Sequence, residues 1–168
     1  MVLDIIKSRR SIRRFLDKPI PSEVLQALLE AARWAPSGGN SQPWVFVVIQ
    51  KQANIQKVKM FSPGLQGDSA VLLVLCSDQA AGGTTAIMDI SMAAQNVMLT
   101  ATDNGLGSCV VRSFNQKALQ TLLSLPSHVI PELIISLGYP AKPARIPSRR
   151  PLDEIVHWEK YGGRSSEK

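Results

Sequence analysis

The sequence has few of the residues that bind metals or form disulfide scaffolds. Its 168 residues include only two cysteines and two histidines. The histidines are isolated from each other and no CxxC pair occurs, so we expect no metal site. Cys76 lies in an apolar run and Cys109 follows a glycine-rich turn. Two such cysteines favour reduced thiols and a cytoplasmic location over a secreted, cross-linked fold.

Long apolar runs and aromatic residues are also scarce. The longest apolar runs, residues 44–49 and 70–76, are far too short to span a bilayer. The amino terminus has an acid at position 4 and no apolar leader segment, so it does not resemble a signal peptide. Aromatic residues make up 5% of the chain, which disfavours a surface that stacks single-stranded bases. We therefore expect neither a membrane nor a nucleic-acid partner, although a nucleic-acid binder stays as an alternative.

Acidic residues are missing where basic residues are densest. Residues 7–18 carry six Lys or Arg and one acid, and residues 142–150 carry four bases and no acid, although the net charge is only +6. Like charges this close repel one another unless an anion lies among them. In "SRRSIRRF" (8–15), the forked donors of Arg9, Arg10 and Arg13 surround the hydroxyl of Ser11, a set that suits a phosphate. The alternative is a solvated helix end.

Two glycine-containing segments have different meanings. The loop "APSGGNSQPW" (35–44) combines glycines, which allow close backbone approach, with a dense set of amides and hydroxyls. An ordinary helix-to-strand turn is its alternative. "GLGSCV" (105–110) is not a dinucleotide fingerprint, because Val110 stands at the third glycine position and the segment runs from helix to strand. No P-loop occurs, so side chains would have to hold any phosphate.

Hydrophobic spacing predicts alternating helices and strands. The predicted helices begin with one around Leu3 and Ile6 and continue over 22–35, 54–60, 85–103 and 115–124, with Ser22 and Asn115 as caps. The predicted strands are 44–49, 70–76, 108–111 and 132–138, the first two buried on both faces. The helix over 85–103 is apolar almost all round, which predicts a central position. The pattern fits one domain, residues 1–168, of the α+β or α/β class.

Six segments in their order resemble the FMN-dependent nitroreductase family, specifically its short, compact branch. They are "RRSIR", "APSGGNSQPW", "MDISMAAQN", "NGLGSC", "SLGYP" and "RRPLDEIV". The resemblance implies a single FMN-binding domain of the α+β class: a three-layer α/β/α sandwich with a mixed central sheet. It also implies an intertwined homodimer with two flavins at the interface.

The resemblance further implies an oxidoreductase that moves electrons from NAD(P)H through FMN to a small acceptor, such as a nitroaromatic or a quinone, by a ping-pong mechanism. The flavin carries the chemistry, so no catalytic side chain is assigned. Arg13 matches the position of a cation near flavin N1 and the C2 carbonyl, and the backbone of Val111 and Arg112 would lie near N5. The phosphate would be held by Arg9, Arg10, Ser11 and Arg13 with Arg149 or Arg150, and the other subunit's flavin would be reached by Pro36, Ser37, Gly38 and Asn40.

Two features separate this chain from many members of that family. It has no room for the helical insertion that covers the flavin in larger members, so we expect an open pocket. Arg112 and Ser113 stand where many members have a small residue or an acid, and a cation there would either select anionic substrates or obstruct the ring. The alternatives are a flavin-consuming or dehalogenating enzyme of the same fold and a non-catalytic FMN storage or sensor protein.

Overall fold

The computed structural model describes residues 1–164, and it confirms the α+β class. Short 3₁₀ turns occur at Gly38–Asn40, Gly83–Thr85 and Leu152–Glu154. The helices and strands, in chain order, are α1 (Val2–Ser8), α2 (Ser22–Arg33), β1 (Trp44–Ile49), α3 (Gln52–Met60), β2 (Val71–Asp78), α4 (Gln79–Gly82), α5 (Ala86–Asp103), β3 (Gly107–Val111), α6 (Gln116–Leu122) and β4 (Val129–Gly138).

The four strands form one sheet in the order β1-β2-β4-β3. Every neighbouring pair is antiparallel, so the expectation of a mixed sheet is not met by these strands. Among residues 1–164, parallel pairing is confined to one isolated bridge, between Ser11 and Ser108. The reason is that the amino-terminal segment passes beside β3 for a single residue pair and then turns away.

Helices cover both faces of the sheet, which gives the expected three layers. On one face, Leu28 of α2 and Ile90 of α5 pack against Leu73 of β2. On the other face, Ile55 of α3 and Leu119 of α6 belong to a second apolar cluster. The sheet therefore lies between two separate cores, as the alternation of buried side chains along β2 requires.

The two strands that we expected to be buried on both faces differ. In β2, residues 71–77 are all buried, as expected. In β1, only Ile49 is buried and the other five residues are half-exposed, so that expectation is wrong. The cause is position, since β1 is an edge strand with β2 as its one neighbour in the sheet.

The expected helix caps and the expected burial of α5 are only partly confirmed. Asn115 caps α6 as expected, because its side chain accepts the N–H of Ala118 at 2.9 Å. Ser22 is the first residue of α2 and makes no capping hydrogen bond, so its expected role is wrong. Helix α5 buries one face but exposes Met88 and Met92. It is thus central on one side and uncovered on the other.

Both ends of the chain lie outside the two cores. Helix α1 has no buried residue and exposes Val2, Leu3 and Ile6. Residues 141–161 are exposed throughout. Within residues 1–164, no helix is both long and apolar enough to cross a bilayer.

Candidate functional site

The amino-terminal basic segment, residues 8–15 with the arginine cluster, is fixed against the sheet by its backbone. Ile12 donates its N–H to the carbonyl of Ser108 at 2.9 Å. The side chain of Ile12 packs where Gly107 has no Cβ, since a Cβ there would lie 2.6 Å from it. Phe15 packs in the same way over Gly138, where a Cβ would lie 2.9 Å away. Gly107 of β3 and Gly138 of β4 are paired, and because they lack a Cβ, this segment can pack closely against the sheet.

The same segment contacts the start of the carboxy-terminal tail. Leu16 donates its N–H to the carbonyl of Tyr139 at 2.8 Å. Ala141 donates its N–H to the carbonyl of Arg14 at 3.0 Å. These two bonds bring the basic amino-terminal segment and the first residues after β4 side by side.

The predicted phosphate-binding residues of the amino terminus have no carboxylate partner. The four ion pairs recorded for residues 1–164 involve none of Arg9, Arg10 and Arg13. Arg10 donates to the carbonyl of Arg9 at 2.9 Å, while Ser11 and Arg13 are exposed. Arginines this close in sequence, without an acid partner in residues 1–164, favour an anion, because their mutual repulsion is otherwise uncompensated.

A cavity of about 240 Å³ adjoins the amino-terminal basic segment. It is smaller than another cavity of about 480 Å³, which lies elsewhere in the molecule. Arg10 and Lys142 both line the smaller cavity, and Ser8 adds a hydroxyl. Lys142 is therefore the tail cation that the fold brings to the amino-terminal cluster. In the sequence Lys142 belongs to the second basic cluster, residues 142–150, but nothing there indicates that it lines a cavity with Arg10, which depends on the pairing of Phe15 with Pro140.

The tail arginines are placed differently. Arg149 donates to the carbonyl of Ser148 at 3.0 Å. Arg150 forms an ion pair with Glu154 at 3.1 Å, four residues further along. Both side chains are exposed, and the hydrogen bonds recorded for residues 1–164 do not join them to the amino-terminal cluster. Their assignment to the phosphate stays a prediction.

The loop between α2 and β1 has an unusual backbone. Gly39, Asn40 and Gln42 have φ values of 56°, 56° and 50°, all in the left-handed region. Ser37 accepts the N–H of Gln42 through its hydroxyl at 3.0 Å. Pro36, Gly38 and Asn40 are exposed and Ser37 is half-buried. Most of the predicted loop residues are therefore accessible to a ligand.

One residue that sequence reasoning missed also holds this loop. Asp89, in the first turn of α5, accepts the N–H of Gly38 at 3.2 Å. It is 6% exposed, which is rare for a carboxylate. Its only sequence signal was an acid near the start of a largely apolar helix, whose other acid, Asp103, is the last residue.

At the end of β3 the two predicted residues face different surroundings. The side chain of Val111 is buried in the core beneath α3 and α6, so only its backbone is available for a ligand. Arg112 is exposed and accepts the N–H of Phe114 through its carbonyl at 3.1 Å. Val110, between the buried neighbours Cys109 and Val111, is 37% exposed.

The cysteines are not candidates for nucleophilic chemistry. Both thiols are buried and free. Burial, together with a smaller contribution from the negative charge of Glu132, raises the pKa of Cys76 to about 12. A thiol with that pKa stays protonated at neutral pH and is therefore inert.

Comparison with known proteins identifies the family. The family model described as "Nitroreductase family" matches residues 6–63 and 63–139. The chain belongs to the nitroreductase family. A nitroreductase-family protein of Clostridium difficile 630 shares its fold with a TM-score of 0.87 and 32% identity, over 95% of this chain and 98% of that one.

Two further proteins similar to this chain have the names of oxidoreductases, as expected for this family. A protein of Methanothermobacter thermautotrophicus, provisionally named NADH dehydrogenase/NAD(P)H nitroreductase, is 33% identical over 95% of this chain and 87% of its own length. A structure described as an FMN-dependent nitroreductase from Clostridium difficile R20291 has a TM-score of 0.85 and 27% identity, over 94% of this chain and 99% of that one.

The residues at the amino-terminal cluster fit the phosphate of FMN. The arginines there have no acid partner, and exposed Ser11 adds a hydroxyl. Ser108 forms a backbone bridge with Ser11, and its hydroxyl is buried without a hydrogen-bond partner in the described part of the chain. Such orphaned groups are uncommon in folded proteins and mark places where a ligand or water completes the structure. Guanidinium, hydroxyl and backbone donors are the set that binds phosphate monoesters.

Proposed function

We propose that this nitroreductase-family chain is an FMN-dependent oxidoreductase that transfers electrons from NAD(P)H to a small acceptor, such as a nitroaromatic or a quinone, with ping-pong kinetics. The observation that carries the proposal is a cluster of arginines without acids, fixed against β3 in a chain of this family. The donor in the provisional name of the 33%-identical relative, NADH or NAD(P)H, is the basis for the electron source.

The chain's own residues bind and orient the cofactor in this proposal. When bound, FMN supplies the redox chemistry by accepting a hydride equivalent and passing electrons on. Arg9, Arg10 and Ser11 hold the phosphate, and Lys142 adds a cation from the tail. Arg13 places a positive charge at the pyrimidine edge of the ring, where it stabilises the negative charge of the reduced form.

The remaining proposed contacts are those of the loop and of β3. Pro36, Ser37, Gly38 and Asn40, in the α2–β1 loop, would contact the flavin bound mainly by the other subunit. The backbone at Val111 and Arg112 would face the reactive edge of a flavin. Arg112 brings an exposed cation to that edge, so the acceptors it favours are anionic. Arg149 and Arg150 remain proposed phosphate ligands.

We also propose that the protein acts as an intertwined homodimer. Support comes from apolar side chains that one chain leaves uncovered. Helix α1 exposes Leu3 and Ile6, and α5 exposes Met88 and Met92. The tail exposes a further set, Ile146, Leu152, Ile155, Val156, Trp158 and Tyr161. Uncovered apolar surfaces of this extent mark interfaces between chains.

The experiment that tests the function is a spectroscopic titration. The purified protein is loaded with FMN and its absorption at the flavin bands is followed anaerobically with NADH or NADPH. We expect bleaching, followed by recovery of the colour when a nitroaromatic or quinone is added. Persistent colour with both donors would favour the non-catalytic storage or sensor alternative. Failure to bind FMN at all would contradict the proposal.

Arg13→Ala tests the proposed charge at the ring. Hydrogen bonds to charged groups contribute about 1.5–3 kcal/mol, so we expect the Kd for FMN to rise about tenfold to a hundredfold. The midpoint potential of the bound flavin should also become more negative. Fluorescence titration measures the Kd, and a dye-equilibration assay measures the potential.

Arg14→Ala is the matched control, because it removes a neighbouring exposed arginine whose recorded contact is made by its backbone carbonyl. We expect its Kd to stay within about threefold of the unchanged protein, because surface charges act weakly at a distance. Equal effects of the two substitutions would show that general charge, and not the position of Arg13, supports FMN binding.

A further inference from the structure

Asp89 is a buried carboxylate that is only half satisfied. One carboxylate oxygen, Oδ1, accepts the N–H of Gly38 at 3.2 Å. The other, Oδ2, is fully buried and has no hydrogen-bond partner among the residues that the structure describes. No cation pairs with it in residues 1–164. Burying a carboxylate in this way costs free energy, which the amino end of α5 offsets only in part.

The group that Asp89 holds is a strained loop. Asn40 and Gln42 both adopt the left-handed backbone conformation, which disfavours residues with a Cβ. Strain of this kind persists only where the surroundings fix the backbone, and it is typical of functional sites. Three hydrogen bonds that involve side chains hold this backbone. Gly38 donates its N–H to Asp89, Gln42 donates its N–H to the hydroxyl of Ser37, and the side-chain amide of Gln42 donates to the carbonyl of Asn40 at 3.4 Å.

Helix α5 is a rigid base for this contact. Asn96, two turns further along α5, donates its side-chain amide to the carbonyl of Ala31 in α2 at 3.0 Å. Ala31 lies near the end of α2, the helix that leads into the loop. The loop is therefore tied to α5 at its own backbone and through the helix that precedes it.

We propose that Asp89 is the positioning residue of the α2–β1 loop: its carboxylate fixes Gly38 and so holds Asn40 in the conformation in which the loop contacts FMN. This inference rests on the proposed function. Asn40 is exposed, and a Cβ at the neighbouring Gly39 would meet no atom within 4 Å, so this part of the loop is open to a ligand. Asp89 itself does not touch the flavin.

The first test needs no cofactor. In the FMN-free protein, hydrogen exchange of the Gly38 amide is compared between the unchanged chain and Asp89→Ala. We expect the amide to exchange at least about tenfold faster in the variant, because its acceptor is lost. Asp89→Asn should keep the slow exchange, since an amide oxygen can accept the same bond.

The second test is the Kd for FMN, measured by fluorescence titration. We expect about a tenfold increase for Asp89→Ala and less than about a threefold change for Asp89→Asn. Asp103→Ala removes an exposed acid from the other end of α5 and should change neither Kd nor exchange. Asp89→Leu keeps the buried volume without an acceptor, and it should reproduce the effect of Asp89→Ala if that variant does not fold.

The outcomes separate this inference from the proposed function. Unchanged exchange at Gly38 in Asp89→Ala would overturn the positioning role. Faster exchange with an unchanged Kd for FMN would also overturn it, because the contact would then be structural alone. Loss of FMN affinity in Asp89→Asn with Gly38 still protected would overturn the role of the hydrogen bond. An unchanged chain that does not bind FMN would instead refute the proposed function.

Discussion

The central strands and the two ends of the chain differ in how completely a single chain buries their apolar side chains. In β2, all residues from 71 to 77 are buried, and Leu73 and Leu75 have no exposed surface. Helix α1 has no buried residue, although it carries Val2, Leu3 and Ile6. The core is therefore complete within one chain, whereas the ends carry apolar and basic side chains that one chain leaves uncovered.

The candidate site lies where these two regions meet. The backbone of residues 11–16 is fixed to β3 and to the residue after β4 by hydrogen bonds at Ser108 and Tyr139. The arginines of this stretch, Arg13 and Arg14, are nevertheless exposed and take part in none of the ion pairs recorded for residues 1–164. The core thus supplies rigidity and the chain end supplies charge. That division suits the proposed binding of a phosphate by side chains, without a phosphate-binding loop.

The largest effect is expected in the core. Leu73→Ala removes a side chain that has no exposed surface and packs between the sheet and α2 and α5. Large-to-small substitutions at such positions cost about 2–5 kcal/mol, because a cavity remains. Urea denaturation should show a lower midpoint with the same cooperativity.

Leu152→Ala in the tail is the control for this comparison. Leu152 is 74% exposed in the single chain. Its substitution should change the free energy of unfolding of the isolated chain by less than about 0.5 kcal/mol. If both substitutions destabilise the protein equally, the tail is part of the folded core and the contrast between the two regions is wrong.

The sequence predicted well what depends on neighbouring residues. Uniform apolar runs located β1 and β2 to within two residues at each end, and Asn115 was identified as a cap because its partner, Ala118, is three residues away. The family resemblance, confirmed by the family model and by solved structures, added the three-layer arrangement. Signals within one segment were sufficient for these features.

Features that depend on distant segments were missed. The burial of β1 was wrong because edge position is decided by strand order, which the composition of β1 does not encode. Lys142 and Arg10 line the same cavity because Phe15 pairs with Pro140. Asp89 contacts Gly38 across 51 residues of chain. Each depends on a contact between segments far apart in sequence, and one sequence without aligned relatives carries no record of such contacts.

The next effect concerns the exposed face of α1. Ile6→Asp places a charge on a helix with no buried residue, so the fold of the single chain should be unaffected. If α1 lies in the dimer interface, burial of this side chain contributes about 1.5–3 kcal/mol, and the dimer dissociation constant should rise at least about tenfold. Sedimentation at several protein concentrations measures the constant.

Lys7→Ala is the matched control on the same helix, since Lys7 is exposed and polar. It should leave the dissociation constant within about threefold of the unchanged protein, because exposed charges contribute little. Equal behaviour of both variants would place α1 outside the interface. A monomer at all concentrations would contradict the proposed dimer and leave the uncovered apolar side chains without an explanation.

The smallest effect is expected at the exposed end of α2, where electrostatics act without burial. Hydrogen bonds from Arg33 and Trp34 lower the pKa of Glu30 from 4.5 to about 2. A carboxyl group whose pKa is lower in the folded state stabilises the fold above its unfolded pKa. That stabilisation is lost as the pH falls from about 4.5 through about 2. Because Glu30 and Arg33 are exposed, solvent screens the pair and the contribution is small.

Glu30→Gln tests this loss of stability at low pH through thermal melts between pH 7 and pH 2. The variant should melt slightly below the unchanged protein at pH 7, and the difference should shrink toward pH 2, where Glu30 is protonated in the unfolded state and about half protonated in the folded state. Glu23→Gln, on the same helix but without bonds to Arg33 or Trp34, should not show this convergence. A difference that persists unchanged at low pH would mean that the Glu30 contacts act through packing of Trp34 and not through charge. In that case packing would stabilise even this exposed end of α2, as it stabilises the core, and charge would matter only at the chain ends.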